Sequence, residues 1–326
     1  MNRRSMTKTA FITGVTGQDG SFLAELLLSK GYEVHGLVRR LSSPNITNIK
    51  HIMNRIHLPD GDMTDQSSMI TALKESEPDE VYNLAAQSFV QTSFRQPVLT
   101  ADVNGLGVIR LLEAVKGVVP DARVYQASTS ELFGLVRETP QNESTPFHPR
   151  SPYGVSKLFG YWACANYREA YGMHVSNGIL FNHESERRGL EFLTRKVTNG
   201  VAMIARGKAD HIELGNLDAK RDWGYAPEYV DAMWRMLQQT KPDDYVIGTG
   251  EGHTVREFVQ LAFREVGIEK WEKYVRTDPK HMRPAEVATL LADPSKAKKV
   301  MRWEAKTKLP DLVRIMVKAD LERVGA

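Results

Sequence analysis

The chain has 326 residues, of which 41% are hydrophobic, 25% charged and 8% aromatic. That length exceeds a single small domain and buries roughly 75% of the unfolded surface, so neither disulfides nor a structural metal is needed for stability. Forty-three basic and 40 acidic residues leave a net charge of +3, too balanced for a nucleic-acid surface, and the single cysteine, Cys164, has no partner within the chain.

Thr9 to Thr13 reads as a short apolar strand that runs into a glycine-rich turn, followed by a helix from Ser21 to Lys30 with Phe22, Leu23, Leu26 and Leu27 on one face. The apolar run is broken at Thr13, Gly14 and Gly17, so the basic N-terminus does not read as a signal peptide. No stretch approaches the roughly 20 apolar residues that span a bilayer, and a cytoplasmic location is expected. Tyr32 to Val38 predicts a second strand, Thr64 to Lys74 a helix, Glu80 to Leu84 a third strand, Asn104 to Val115 a helix and Arg123 to Ala127 a fourth strand. Strands alternating with helices imply an α/β protein with a doubly wound, mostly parallel sheet. Beyond residue 182 the alternation loosens. Helices are expected over Phe192 to Arg206, Glu228 to Gln239, Thr254 to Val266 and Leu309 to Val324, with short strands at Ile212 to Leu214 and Tyr245 to Ile247. The expected division is a dinucleotide domain of 7–181 plus about 223–250, and a smaller interleaved substrate-binding lobe of about 182–222 plus 251–326. A cleft between the two would hold ligands.

Gly14, Gly17 and Gly20 stand between the first strand and the first helix. Such a turn lets backbone N–H groups and a helix N-terminus approach a pyrophosphate without Cβ clashes. At the end of the second strand, where an NAD enzyme presents a carboxylate to the ribose, stand Arg39 and Arg40, with Ser42 and Ser43 close behind. Guanidinium groups there favour NADP, since a 2′-phosphate takes a bidentate cation and is repelled by a carboxylate. Asp62, in Gly61-Asp62-Met63, either accepts from an adenine amino group or caps the next helix together with Asp65. Leu84, Ala85, Ala86, Gln87 and Ser88 follow the third strand, and their mostly small side chains suit either close approach of a cofactor or plain packing.

Tyr153 and Lys157 lie one helical turn apart, which places phenol and ammonium on one face. A tyrosine is a poor base at neutral pH, but a neighbouring ammonium favours its phenolate.

Together these motifs resemble the extended short-chain dehydrogenase/reductase superfamily, and more closely the GDP-mannose 4,6-dehydratase family. The strings that carry the resemblance are Thr13-Gly14-Val15-Thr16-Gly17-Gln18-Asp19-Gly20, Asn83-Leu84-Ala85-Ala86, Ser128-Thr129-Ser130-Glu131, Tyr153-x-x-x-Lys157, Phe181-Asn182-His183-Glu184-Ser185, Leu193-Thr194-Arg195-Lys196, Ala219 to Gly224, and Arg283-Pro284-Ala285-Glu286-Val287. The resemblance implies a Rossmann-type domain that holds NADP, with Thr16, Gln18, Asp19, Met63 and Ser88 joining the residues above, and His183 and Arg188 on the nicotinamide side and the phosphates. It implies that Tyr153 is the base for the 4-hydroxyl, that Thr129 and Ser130 bond the sugar near C4, and that Glu131 takes the C5 proton and helps expel the C6 hydroxyl. Ser88, Asn182, Lys196, Arg221, Arg283 and Glu286 are implied to hold the GDP-sugar, and a homodimer or homotetramer is implied for the assembly. Two positions depart from the family pattern: Glu186 stands where proline often follows the Asn-His-Glu-Ser string, and Leu99 where tyrosine often stands.

The expected reaction is NADP-dependent dehydration of GDP-mannose to GDP-4-keto-6-deoxy-mannose. A GDP-manno-heptose 4,6-dehydratase stays open as an alternative, followed by another nucleotide-sugar epimerase or reductase, or an NADPH-sensing module. The nine histidines show no metal-ligand spacing, and no metal is expected.

Overall fold

The computed structural model describes residues 7–278, 285 and 287–325. Strands β1 (Thr9–Thr13), β2 (Glu33–Leu37), β3 (Glu80–Asn83), β4 (Arg123–Ala127) and β5 (Val175–Leu180) alternate with helices α1 (Gln18–Ser29), α2 (Gln66–Ser76), α3 (Val90–Arg95), α4 (Pro97–Ala101), α5 (Gly107–Val118) and α6 (Pro152–Tyr171). Beyond them come β6 (Asn182–Glu184), α7 (Leu193–Ala205), β7 (Ile212–Leu214), β8 (Lys220–Arg221), β9 (Trp223–Tyr225) and α8 (Ala226–Leu237). The chain continues through β10 (Tyr245–Ile247), β11 (His253–Thr254), α9 (Val255–Arg264), β12 (Val275–Thr277), α10 (Ser295–Met301) and α11 (Leu309–Gly325).

The main sheet has the order β10-β5-β4-β3-β1-β2, and the pairings of β1 with β2 and β3, of β3 with β4 and of β4 with β5 are all parallel. This is the doubly wound α/β architecture expected from the alternation. The reversal of direction in strand order falls at β1 and β3, so the loops that leave Thr13 and Asn83 diverge at the carboxyl edge, where such sheets bind ligands.

Two compact units emerge: Met1–Leu132 with Ser151–Leu180 and Val230–Tyr245, and Phe133–Arg150 with Phe181–Tyr229 and Val246–Ala326. The expected boundaries put 133–150 with the cofactor domain. In the structure this segment joins the second unit, where Gln141 bonds through its backbone to Leu291 and Asp293 and through its side chain to the Leu291 N–H. The first unit is built on Phe11, Leu37, Met69, Leu73, Val81, Leu111, Val124 and Val175, which pack α2, α5 and α6 against one face of the sheet. The second has its own core of Val197, Val201, Leu214, Trp223, Phe258, Phe263, Leu312 and Met316.

Element boundaries moved where a cap outweighs hydrophobic spacing. Helix α1 starts at Gln18 rather than Ser21, because Gly17 in an extended conformation serves as its N-cap. The helix expected from Asn104 begins as a π turn, Asp102–Leu106, and becomes α-helical at Gly107. No described helix is long and apolar enough to cross a membrane.

Candidate functional site

Two glycines of the first turn, Gly14 and Gly20, are required by geometry. Gly14 has φ +72, and a Cβ there would lie 2.9 Å from the Ala85 nitrogen, while a Cβ on Gly20 would fall 2.2 Å from the Gly14 carbonyl oxygen. Strand β1 therefore turns into α1 over bare backbone, and the Gly17 N–H donates to the Gly14 carbonyl at 3.0 Å. The N-cap, Gly17, has no side chain with which to cap the N-terminus of α1. A first helical turn offers N–H groups and the positive end of the helix dipole, a donor set that fits a pyrophosphate. Asn48 steadies the turn from outside by donating to the Thr16 carbonyl at 3.1 Å.

A buried polar chain runs across the carboxyl edge from this turn. Thr13 Oγ1 donates to Asn83 Oδ1 at 2.6 Å and accepts from the N–H groups of Leu84 and Ala85 at 3.1 Å each. Asn83 Nδ2 donates to Gln126 Oε1 at 2.7 Å, and Gln126 Nε2 donates to the Ala127 carbonyl at 2.9 Å. Lys157 Nζ reaches the same carbonyl at 2.9 Å. The ends of β1, β3 and β4 and the start of α6 are thus joined by partnered groups in a nearly dry layer, where unpartnered ones would be costly.

Helix α6 is started by Ser151, whose hydroxyl accepts from the Gly154 N–H at 3.0 Å, with Pro152 in its first turn. Its first turns carry Tyr153 and Lys157, both buried. Burial pushes the Lys157 ammonium down to about 8, and the nearby charge of Asp19 opposes that fall. Beyond β4, Thr129 Oγ1 accepts from the Glu131 N–H at 3.2 Å, and Thr129, Ser130 and Glu131 are all buried. Loop, helix and strand ends of the first unit thus collect Gly14, Thr16, Gly17, Gln18, Asp19, Gly20, Leu84 to Ser88, Thr129 to Glu131, Tyr153 and Lys157 at one edge.

The rest of the expected set is placed less uniformly. Arg39 and Arg40 are exposed just past β2, and the only ion pair of this pair of residues among the described ones is a 4.0 Å contact of Arg40 with Asp60. Ser42 and Ser43 are exposed beside them. Asp62 accepts from the N–H and hydroxyl of Thr64 at 2.9 and 2.8 Å, while Asp65 caps α2. Met63 is a buried core residue. In the second unit, Asn182 pairs opposite Trp223, and His183 stacks on Tyr229 at 4.7 Å with Nδ1 2.8 Å from the Phe181 carbonyl. Arg188 sits 3.0 Å from Glu184 and over the Phe192 ring, so its charge is already engaged. Lys196 lies on α7, and Arg221 donates to the Lys220 carbonyl at 2.8 Å. Arg283 and Glu286 lie outside the described residues.

The profile of the GDP-mannose 4,6 dehydratase family matches residues 11–316. The chain belongs to this family. A GDP-mannose 4,6 dehydratase of Caenorhabditis elegans is 53% identical over 98% of this chain and 90% of that protein. The GDP-mannose 4,6-dehydratase of Yersinia enterocolitica is 50% identical over 97% and 94%. Among solved structures, a Thermus thermophilus UDP-glucose 4-epimerase in complex with NAD is 27% identical with a TM-score of 0.83, covering 96% of this chain and 98% of that one. A Streptomyces venezuelae dTDP-glucose 4,6-dehydratase, 23% identical over 97% and 98%, shares the fold with a TM-score of 0.88.

Two groups of this family member lie outside the motifs above, and a third, Asp222, lies inside one of them without a role assigned from sequence. Gln126 is the link between Asn83 and the Ala127 carbonyl, and it sits on β4 one residue before the strand ends, just ahead of the string from Ser128. Asn104, in the π turn, accepts from the Gln87 N–H and donates to the Gln87 carbonyl, both at 2.9 Å, and donates to Ser156 Oγ at 3.3 Å. It thereby ties the loop after β3 to the helix of Tyr153. Asp222, fully buried in the second unit, accepts from Thr249, Gly250 and Ala292, and burial raises its carboxyl from the ordinary value while these hydrogen bonds oppose the rise.

Proposed function

We propose that this protein removes water from GDP-mannose to give GDP-4-keto-6-deoxy-mannose, with NADP as its tightly held redox partner. The observation that carries the reading is the placement of Glu131 directly past β4, on the same unit as Tyr153 and Lys157, in a chain about half identical to dehydratases over nearly its whole length. An epimerase or reductase needs the tyrosine and lysine but no base for C5. A nicotinamide dinucleotide held by the Gly14–Gly20 turn and the loop from Leu84 would supply the acceptor for the C4 hydride and its donor to C6.

This chain's residues handle the protons. Tyr153 as phenolate takes the proton of the 4-hydroxyl, helped by the ammonium of Lys157 one turn away. Thr129 donates to the C4 oxygen and holds it as the carbonyl forms, which acidifies the hydrogen on C5. Glu131 takes that hydrogen as a proton and delivers it to the C6 hydroxyl, which leaves as water; hydride return to C6 is then balanced by a proton delivered to C5 from Tyr153, which regains its phenolate. The two exposed guanidinium groups of Arg39 and Arg40 support NADP rather than NAD, because neither is committed to a buried partner. Ser88, Asn182, Lys196, Arg221, Arg283 and Glu286 hold the sugar nucleotide in this reading. A homodimer or homotetramer belongs to it as well, supported by Val98, Phe159 and Trp162, which are at least half exposed on α4 and α6. Sedimentation as a monomer would remove that part.

Mass spectrometry of purified protein mixed with GDP-mannose, without added cofactor, tests the activity. The expected product is lighter by one water with no net NADPH. Glu131→Gln keeps binding of NADP and GDP-mannose and loses elimination. Normal product from that variant, or no mass change with wild type even when NADP is supplied, overturns the reading.

A further inference from the structure

Glu33 and His35 alternate along β2, which turns both side chains to the same face of the edge strand. An isolated parallel bridge pairs His35 with His57, so the second imidazole stands directly beside the first. Their rings stack with centroids 4.5 Å apart and planes 22° from parallel. Both Nε2 atoms converge on one oxygen, Glu33 Oε1, at 3.0 Å for His35 and 3.5 Å for His57. All three ligand atoms lie within 4.8 Å of one another.

The two imidazole–carboxylate separations bracket the edge of a tetrahedral site. A zinc–nitrogen bond of about 2.0–2.1 Å gives ligand–ligand edges of roughly 3.3–3.4 Å, between the two observed distances. We propose that Glu33, His35 and His57 form a three-ligand site for a divalent transition-metal ion of the zinc class, outside the catalytic machinery. Two imidazoles and one carboxylate suit such an ion, whereas magnesium and calcium call for oxygen ligands. Backbone bonds hold the scaffold ready: the His57 N–H donates to the Val34 carbonyl at 2.9 Å, and the Gly36 N–H donates to the His57 carbonyl at 2.8 Å. His35 is recessed with a side chain 12% exposed, while Glu33 and His57 are half-exposed or more, which leaves the fourth position to water. The bound ion clamps both ends of the segment from β2 to His57, which carries Arg39, Arg40, Ser42 and Ser43, and it displaces protons from the ligands as it enters. Among the described residues this is the one group of three His, Cys, Asp or Glu side chains whose ligand atoms converge in this way.

The test uses the full-length, chelator-treated protein and needs no substrate. Titration with Co²⁺ is expected to give one equivalent bound with the intense visible absorption of a four-coordinate site, displaced by Zn²⁺ and not by Mg²⁺. Zn²⁺ is also expected to raise the thermal midpoint. His35→Gln and His57→Gln lose the cobalt spectrum while far-UV circular dichroism stays unchanged, and Glu33→Gln, whose site is exposed enough to spare the fold, weakens cobalt binding at least tenfold. Absence of a cobalt spectrum in wild type overturns the proposal, as does a spectrum that persists in Glu33→Gln and His57→Gln alike.

Discussion

Replacing Lys157 with methionine is expected to stabilise the fold while abolishing the chemistry. The ammonium sits in a dry layer, and burial brings it from an ordinary 10.5 to about 8. At about 1.36 kcal/mol per tenfold, holding it charged in the folded state costs about 3 kcal/mol. Methionine has similar length and no charge, so it removes that cost. It also removes the hydrogen bond to the Ala127 carbonyl, worth about 1 kcal/mol, but the carbonyl keeps its bond from Gln126 Nε2. The net gain is about 2 kcal/mol at neutral pH. The sign follows from the depressed value. Below about 8 both folded and unfolded chains carry the proton and the full cost applies; between about 8 and 10.5 the unfolded chain binds more protons, so wild-type stability rises with pH and the variant's advantage shrinks. Urea denaturation followed by far-UV circular dichroism, without cofactor or sugar nucleotide, should show the variant ahead near pH 7 and level or behind near pH 10. Turnover should fall at least about a hundredfold, as expected when a proton-transfer partner is lost. A variant less stable than wild type near pH 7, or an advantage that is equal at both pH values, would refute the account of Lys157 as a desolvated cation.

Gly20→Ala forces a methyl against the Gly14 carbonyl at 2.2 Å, so the turn must open. A loss of about 1–3 kcal/mol in stability is expected, with NADP affinity falling at least tenfold by fluorescence titration, and an unchanged melting curve with unchanged affinity would contradict the close approach. Arg39→Ala is expected to weaken NADP by roughly 10–100-fold, the worth of a charge-assisted contact of about 1.5–3 kcal/mol, while NAD binding stays put. Equal loss on both dinucleotides would remove Arg39 from the 2′-phosphate.

Much of the candidate site is legible in the sequence because its residues sit where strands end. Thr13, Asn83 and Ala127 close β1, β3 and β4, and the strings that follow them are short, local and bound to one edge of the sheet. A linear pattern conveys that well, since a parallel α/β sheet brings all such edges together. The helix start at Gln18 was less legible, because a glycine cap without a side-chain bond leaves no cue in spacing. Gln126 and Asn104 illustrate a different obstacle. Each earns its role through register: Asn83 stands opposite Gln126 only because β3 pairs with β4 in that phase, and Asn104 meets Gln87 because the chain forms a π turn there. A one-residue slip would turn Gln126 to the other face of the sheet.

The same reasoning explains how a cluster of metal-binding type escapes a search for ligand spacing. Glu33 and His35 are adjacent in pattern, but His57 enters from 22 residues away through one parallel bridge. Sequence motifs for metal sites encode ligands on one loop or helix, where distance along the chain fixes distance in space. Across a bridge it does not, and only the phase of the pairing decides whether two imidazoles stack or point to opposite faces. Here the phase stacks them over a shared carboxylate oxygen, on the strand that leads into Arg39 and Arg40. An ion bound at the foot of that strand would therefore act on cofactor choice only through the stiffness of the segment between His35 and His57, leaving Tyr153, Lys157 and Glu131 untouched.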